Sequence, residues 1–357
     1  MMLVMGQGER PEHGVGGKYV VKGKEFVRDQ RYITTRITNG GGSAEGGHDP
    51  ETDTFPVEPN RYRLIAAKAC PWANRAIIVR RLLGLEDAIG LGTPGPTHDA
   101  RSWTFDLDPD GLDPVLGIHW LQDAYFKRQP DYPRGITVPA IVDTQTGALV
   151  TNDFAQITLD LSTEWSDLQR PDAPLLLPAN PQERAEMDDL MQWIFTEVNN
   201  GVYRAGFSGS QAAYEDAVAR LFAALDQLEA RLATRRFLMG DYITEADIRL
   251  FTTLVRFDPV YYSHFKTNLK RLSDYPNLWG YARDLYQLPG FGETVDFDQI
   301  KAHYYIVQKD LNPTGIVPVG PDLSGWDSPP DREFLAHGNP ASPWGHNRNG
   351  SLATAPR

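Results

Sequence analysis

Cys70, the one cysteine of the chain, stands in the run Cys70-Pro71-Trp72-Ala73 and is the residue best suited to chemistry. After it, Ala73, Ala76, Ile77, Val79 and Leu83 recur at helical spacing, and before it Arg61 to Ala67 has the composition of a short strand. Cys70 is therefore expected at the N-cap of a helix, with Pro71 in the first turn, where a missing N–H costs nothing. Free N–H groups and the helix dipole favour the thiolate there, which predicts a pKa below the free value of about 8.5. The competing reading is a buried thiol that packs as a small hydrophobe. A single cysteine excludes an intrachain disulfide, a two-cysteine redox centre and a cysteine-based zinc cluster. If Cys70 forms a mixed disulfide, the thiol that resolves it must come from solution.

Two further groups could serve such a nucleophile. Pro139 opens a strand after an irregular stretch, and a cis bond there would present the Val138 backbone to an extended ligand, although an edge-strand proline explains it equally simply. Tyr203, the pair Tyr261-Tyr262 and the pair Tyr304-Tyr305 supply phenols that can hydrogen-bond to or protonate a departing phenolate, or simply pack. His264 and His303 lack a partner at metal-ligand spacing and read as structural, so no metal is expected. Asp241, Glu245 and Asp247 read as helix-start residues, with Thr244 and Asp247 forming a variant capping box.

The elements that must position these residues divide the chain. Residues 1–60, with glycine runs at Gly14 to Gly17 and Gly40 to Gly47, read as a partly mobile extension over the body. Residues 61–164 read as a strand, the Cys-Pro turn, a helix, a short strand at Ile89 to Leu91, about forty irregular residues, a hairpin from Val138 to Val150 and a helix from Asp153. Cys at the first helix, the proline opposite it and an acidic start to a later helix make a thioredoxin-like layout. Residues 165–180 read as a proline-rich linker, and 181–310 are helical by pattern: Gln182 to Asn199, Gln211 to Leu232, Glu245 to Phe257, Leu278 to Leu288 and Phe297 to Val307. Residues 311–357 look extended, and without fixed structure beyond about Asp331. The fold class is thus α/β plus all-α.

Composition narrows the function. The 357 residues carry 47 acidic against 35 basic side chains, a formal charge of −12, which disfavours a phosphate backbone as partner and favours a small molecule or a protein. No run approaches 18 apolar residues, and the opening Met-Met-Leu-Val-Met stops too soon for a signal peptide, so no membrane and a cytoplasmic location are expected. Leu254, Phe257, Val260, Tyr261 and Phe265 offer more apolar area than one short segment needs, which suits either a dimer surface or burial inside one subunit.

Cys70-Pro-Trp-Ala, Thr137-Val138-Pro139, Asn199-Asn-Gly-Val-Tyr203-Arg-Ala-Gly-Phe207, Arg256 to Lys266, His303-Tyr-Tyr305 and Asn312-Pro-Thr-Gly-Ile-Val-Pro318 occur in the order of one family. Over about Phe26 to Arg332 the chain resembles the glutathionyl-hydroquinone reductases, the Xi class of the glutathione transferase superfamily. The resemblance implies a thioredoxin-like N-terminal domain, an all-helical C-terminal domain, an extension packed across both, and a homodimer. It implies removal of a thiol from a thiol-conjugated hydroquinone, with Cys70 as nucleophile and Tyr203 and one of Tyr304 and Tyr305 as proton donors. It assigns thiol binding to Trp72, Trp103, Arg134, Val138 with Pro139, and Asp153, with glutathione as co-substrate and no metal. Two departures bear on the thiol. Arg134 stands one residue further from Pro139 than in the family, and Asn152-Asp153-Phe154 replaces the usual Asn-Glu-Ser. A shorter acid and a phenyl ring in place of a hydroxyl open the choice between glutathione and a bulkier thiol such as mycothiol. A non-catalytic binding or scaffold protein of the same fold, and a transferase that activates its thiol by a hydroxyl, are the competing functional readings.

Overall fold

The computed structural model describes residues 20, 22–43, 46–337 and 343–356. The opening methionine-rich run and the Gly14 to Gly17 stretch lie outside the described residues. An arm from Lys22 leads into β1 (Arg36–Thr38), which pairs in parallel with β2 (Thr54–Pro56). The main sheet is built from β3 (Tyr62–Ile65), β4 (Gly90–Gly92), β5 (Ala140–Asp143) and β6 (Ala148–Thr151) in the order β4-β3-β5-β6. β3 runs parallel to β4 and antiparallel to β5, and β5 to β6 is the hairpin expected at Gly147, whose φ of 68° suits a residue without a Cβ. Every residue of β3 and β5 is buried, as strands covered on both faces require.

Helix α1 (Pro71–Leu82) packs against α3 (Phe154–Thr163), and α2 (Gln122–Arg128) against β6. Helix α2 corrects the reading of some forty irregular residues: seven residues are too short for a convincing period, and only Ala124 and Tyr125 are buried to hold it.

The helical half follows the expected spans closely. It comprises α4 (Pro181–Ile194), α5 (Gly201–Gly206), α6 (Gln211–Leu232), α7 (Glu245–Leu254), α8 (Pro276–Gln287) and α9 (Phe297–Ala302). Asn180, Ser210 and Asp296 cap α4, α6 and α9 by accepting from backbone N–H groups. At α7 the Asp247 carboxylate accepts from the Thr244 N–H and hydroxyl at 2.8 and 2.9 Å. Three π-helical turns, Phe195–Asn199, Phe257–Tyr261 and His303–Val307, break the helical runs, and the tyrosines of interest lie in or just after them.

One open choice is decided here and one sequence expectation fails, both for physical reasons. Leu254, Phe257, Val260, Tyr261 and Phe265 are all fully buried within the one chain, so they form core and not a subunit surface. The segment beyond Asp331 is not free: residues 343–356 fold back on the linker. Leu175 N–H donates to the His346 carbonyl at 3.0 Å, Ile243 N–H to Pro343 at 2.9 Å, and Trp344 is buried. Proline-rich composition says nothing of such docking, because the partners are distant in sequence.

Candidate active site

The two halves are joined directly beneath the nucleophile. Arg256, at the end of α7, is fully buried and donates to the carbonyls of Ala69 and Lys68 at 3.0 and 2.8 Å and to Asn74 Oδ1 at 3.2 Å. Those groups precede and follow Cys70, so the helical half fixes the turn that carries it. Arg75 reaches the other way, to Asn199 Oδ1 at 2.8 Å, and Asn199 in turn donates to Thr253 Oγ1 at 2.7 Å.

Cys70 is the N-cap of α1 with extended backbone, and Pro71 opens the helix. Its thiol donates to the Val138 carbonyl at 3.6 Å, and Val138-Pro139 is cis. The Tyr125 hydroxyl donates to the Thr137 carbonyl at 2.7 Å and Asn152 Nδ2 to Thr137 Oγ1 at 3.0 Å, which holds this edge in place. The expected low thiol pKa is corrected. Burial pushes the Cys70 thiol above its ordinary value, against the opposing pull of the Ala73 N–H, Arg256, the Trp72 N–H and Arg28. The helix terminus acts as foreseen, but desolvation of the charge outweighs it.

Beside Cys70 runs a chain of phenols. Tyr203 and Tyr304 share a hydrogen bond of 2.7 Å, and Tyr304 and Tyr261 one of 3.0 Å. Desolvation raises all three pKa values, those of Tyr261 and Tyr304 well above the ordinary value, so each keeps its proton at neutral pH. Tyr203 and Tyr304 line the cavity that contains Cys70, whereas Tyr305 does not and bonds instead with Ser263. Gly206 is required nearby: a Cβ there would fall 2.3 Å from the Phe265 ring, which packs on Tyr203.

Of the expected thiol-binding residues, Trp72, Trp103, Arg134 and Val138 line the cavity. Asp153 and Pro139 do not. One oxygen of the Asp153 carboxylate, Oδ1, caps α3, accepting from the N–H groups of Ala155 and Gln156 at 3.2 and 3.3 Å. Its neighbours face the cavity instead: Asn152, and Phe154, whose ring packs 4.7 Å from that of Trp72 and 5.4 Å from that of Tyr32.

Several lining residues escaped the sequence reading. His303, read as structural, stacks on Trp103 at 4.8 Å while its Nδ1 donates to the Pro96 carbonyl at 2.8 Å. His98 lies 4.7 Å from Trp103. Burial pulls His98 down to about 3 and His303 to about 4, so both rings are neutral near pH 7. The arm contributes Phe26, Arg28, Asp29, Arg31 and Tyr32. It is tied to the helical half where Gly23 N–H donates to Gly209 O at 2.8 Å, and to the sheet half where Ile33 N–H donates to Asn152 Oδ1 at 2.8 Å. Asp29 accepts from Arg134 at 2.6 Å. The mixture of aromatic and charged residues in Phe26-Val-Arg-Asp29 was the available clue.

This arrangement provides a nucleophile, a carbonyl edge, neutral proton donors and an aromatic wall. Among the described residues no group of three or more His, Cys, Asp or Glu is placed to hold a metal, and no helix is long and apolar enough to cross a membrane.

The glutathione S-transferase N-terminal domain family matches residues 69–164 and the corresponding C-terminal domain family residues 211–284. The glutathionyl-hydroquinone reductase YqjG of Escherichia coli is 43% identical over 282 residues, covering 78% of this chain and 85% of that protein. Its glutathione-bound structure aligns with a TM-score of 0.73 over 78% of this chain and 89% of that one. The glutathionyl-hydroquinone reductase PcpF of Sphingobium chlorophenolicum is 41% identical, covering 75% and 85%. A glutathione transferase from Gordonia bronchialis aligns at 59% identity and a TM-score of 0.82, covering 91% of this chain and 98% of that one.

Proposed function

The chain belongs to the glutathionyl-hydroquinone reductases, the Xi class of the glutathione transferase superfamily, and from that membership we propose that it removes a low-molecular-weight thiol from thiol-conjugated hydroquinones through Cys70. The observation that carries this reading is the meeting of one thiol with a row of protonated phenols in a single cavity.

The Cys70 thiolate attacks the sulfur that links thiol and ring. The sulfur–carbon bond breaks, its electron pair passes to the ring carbon, and that carbon gains a proton, so the ring leaves as a hydroquinone. Cys70 is left in a mixed disulfide with the thiol. Tyr203 supplies the hydrogen bond and proton, and Tyr304 and Tyr261 pass a replacement along the chain of hydroxyls. A second molecule of thiol attacks its own counterpart in the mixed disulfide, which releases a symmetric disulfide and restores Cys70. The Val138 backbone and Arg134 hold the thiol, with Trp103 beside it.

Glutathione is the thiol to test first, because the E. coli relative binds it. A second reading, mycothiol, is favoured by Phe154: the cavity wall presents a phenyl ring where the family has a hydroxyl. Each polar group of the γ-glutamyl end left unpaired on desolvation costs about 1–3 kcal/mol.

The test is turnover of glutathionyl- and mycothiol-conjugates of one hydroquinone by wild type and Cys70→Ala, with intact mass to detect the thiol on Cys70. Turnover that persists in Cys70→Ala would overturn the reading and leave a binding protein or a hydroxyl-type transferase. A kcat/KM above about 10⁴ M⁻¹s⁻¹ for the glutathione conjugate would dispose of mycothiol.

A further inference from the structure

Arg28 is the one arginine on the cavity wall without an acidic partner among the described residues. The wall carries Arg28, Arg31, Arg134 and Asp29, and Asp29 is taken by Arg31 at 2.8 Å and Arg134 at 2.6 Å. Arg28 Nε donates to the neutral Asn200 Oδ1 at 2.9 Å. Its Nη2 is shielded from solvent with no hydrogen-bond partner among the described residues. A shielded guanidinium with an unmet donor is costly, and the group that best satisfies it is an anionic oxygen.

The place of Arg28 says which part of a substrate would bring that oxygen. Its guanidinium lies 4.6 Å from the ring centres of both Trp72 and Tyr203. Trp72 adjoins the nucleophile and Tyr203 belongs to the phenol chain, so Arg28 borders the space of the departing ring. Arg134, Val138 and Asn152 belong to the sheet half, where the thiol is held. Resting on the reaction proposed above, we propose that Arg28 is a specificity-determining residue that selects conjugates whose aromatic ring carries a carboxylate.

Two conjugates of the same thiol test this, one of 2,5-dihydroxybenzoate and one of its carboxamide, which matches the shape without the charge. Wild type should prefer the carboxylate in kcat/KM by about tenfold or more, the scale of one charged hydrogen bond. Arg28→Gln should bring the ratio close to one, whatever fall both conjugates share through loss of its charge beside Cys70, and Arg28→Lys should keep part of the preference. An equal fall for both conjugates in Arg28→Gln would overturn the inference, since it would place Arg28 on the thiol or in the framework of the arm. Wild type that turns over the carboxamide without favouring the carboxylate overturns this inference alone. Wild type that turns over neither overturns the proposed reaction, and this inference with it.

Discussion

At Cys70 two effects of opposite sign meet, and their balance can be measured. Burial raises the thiol pKa while two N–H groups and two arginines lower it, with burial the larger effect. The thiolate is the reactive form, so a raised pKa moves reactivity to higher pH. Alkylation of Cys70 by iodoacetamide should keep climbing through pH 8.5, about the value of free cysteine, and a plateau below about pH 8 would show that the helix terminus prevails. His98, His264 and His303 are pulled to about 3, 4 and 4, so none of them titrates between pH 5 and 8 and the profile there reports the thiol. The tyrosines make a second case. Tyr203→Phe and Tyr304→Phe should each lower hydroquinone release by roughly 10- to 1000-fold, the scale of a lost proton donor. Tyr305→Phe should have little effect, because its hydroxyl bonds with Ser263 outside the cavity. Capture of a simple disulfide by Cys70 should survive all three changes, and a parallel loss of capture and release would make the phenols structural.

Among the elements, the arm has the least local structure and the widest reach. Between Gly23 and Ile33 it touches α5, Trp72, Arg134 and Asn152 without forming a helix or strand of its own. Backbone bonds tie it down at Gly23 and Ile33, and between them Asp29 pairs with Arg134 of the body and with Arg31 of the arm itself. The guanidinium of Arg31, with that of Arg134, holds the Asp29 carboxyl well below the usual carboxylate range. A folded-state pKa below the unfolded one gives stability that is complete above about pH 4 and fades as pH falls toward the lowered value. Asp29→Asn should remove this contribution at neutral pH. Tryptic cleavage at Lys22, Lys24, Arg28 or Arg31 should then quicken severalfold while the body resists as before, and unchanged cleavage would mean that Asn152 and Gly209 hold the arm by themselves.

On the scale of the whole molecule, the two domains share one core, with Arg256 and Arg75 crossing the junction in opposite directions. Family membership leads us to expect a homodimer, so light scattering at micromolar concentration should give a mass near twice 39.9 kDa. A single-chain mass would refute it. The five apolar residues first considered for that surface are core, and the large apolar side chains left exposed include Leu269, Ile316 and Val319.

Much was legible in the sequence because it is set locally. The N-cap position of Cys70, the hairpin at Gly147 and the long helix Gln211–Leu232 each depend on neighbours a few residues away, where periodicity and turn chemistry operate. Motif order added the two-domain fold. Tertiary structure alone decided what depends on the meeting of distant groups: that Tyr304 and not Tyr305 joins Tyr203, that His303 backs Trp103, and that Arg28 comes from the arm to the ring side of Cys70. The sign of the Cys70 shift belongs with these. A helix terminus can be read from sequence, but desolvation depends on how completely the arm, the sheet and the helical half close over one sulfur.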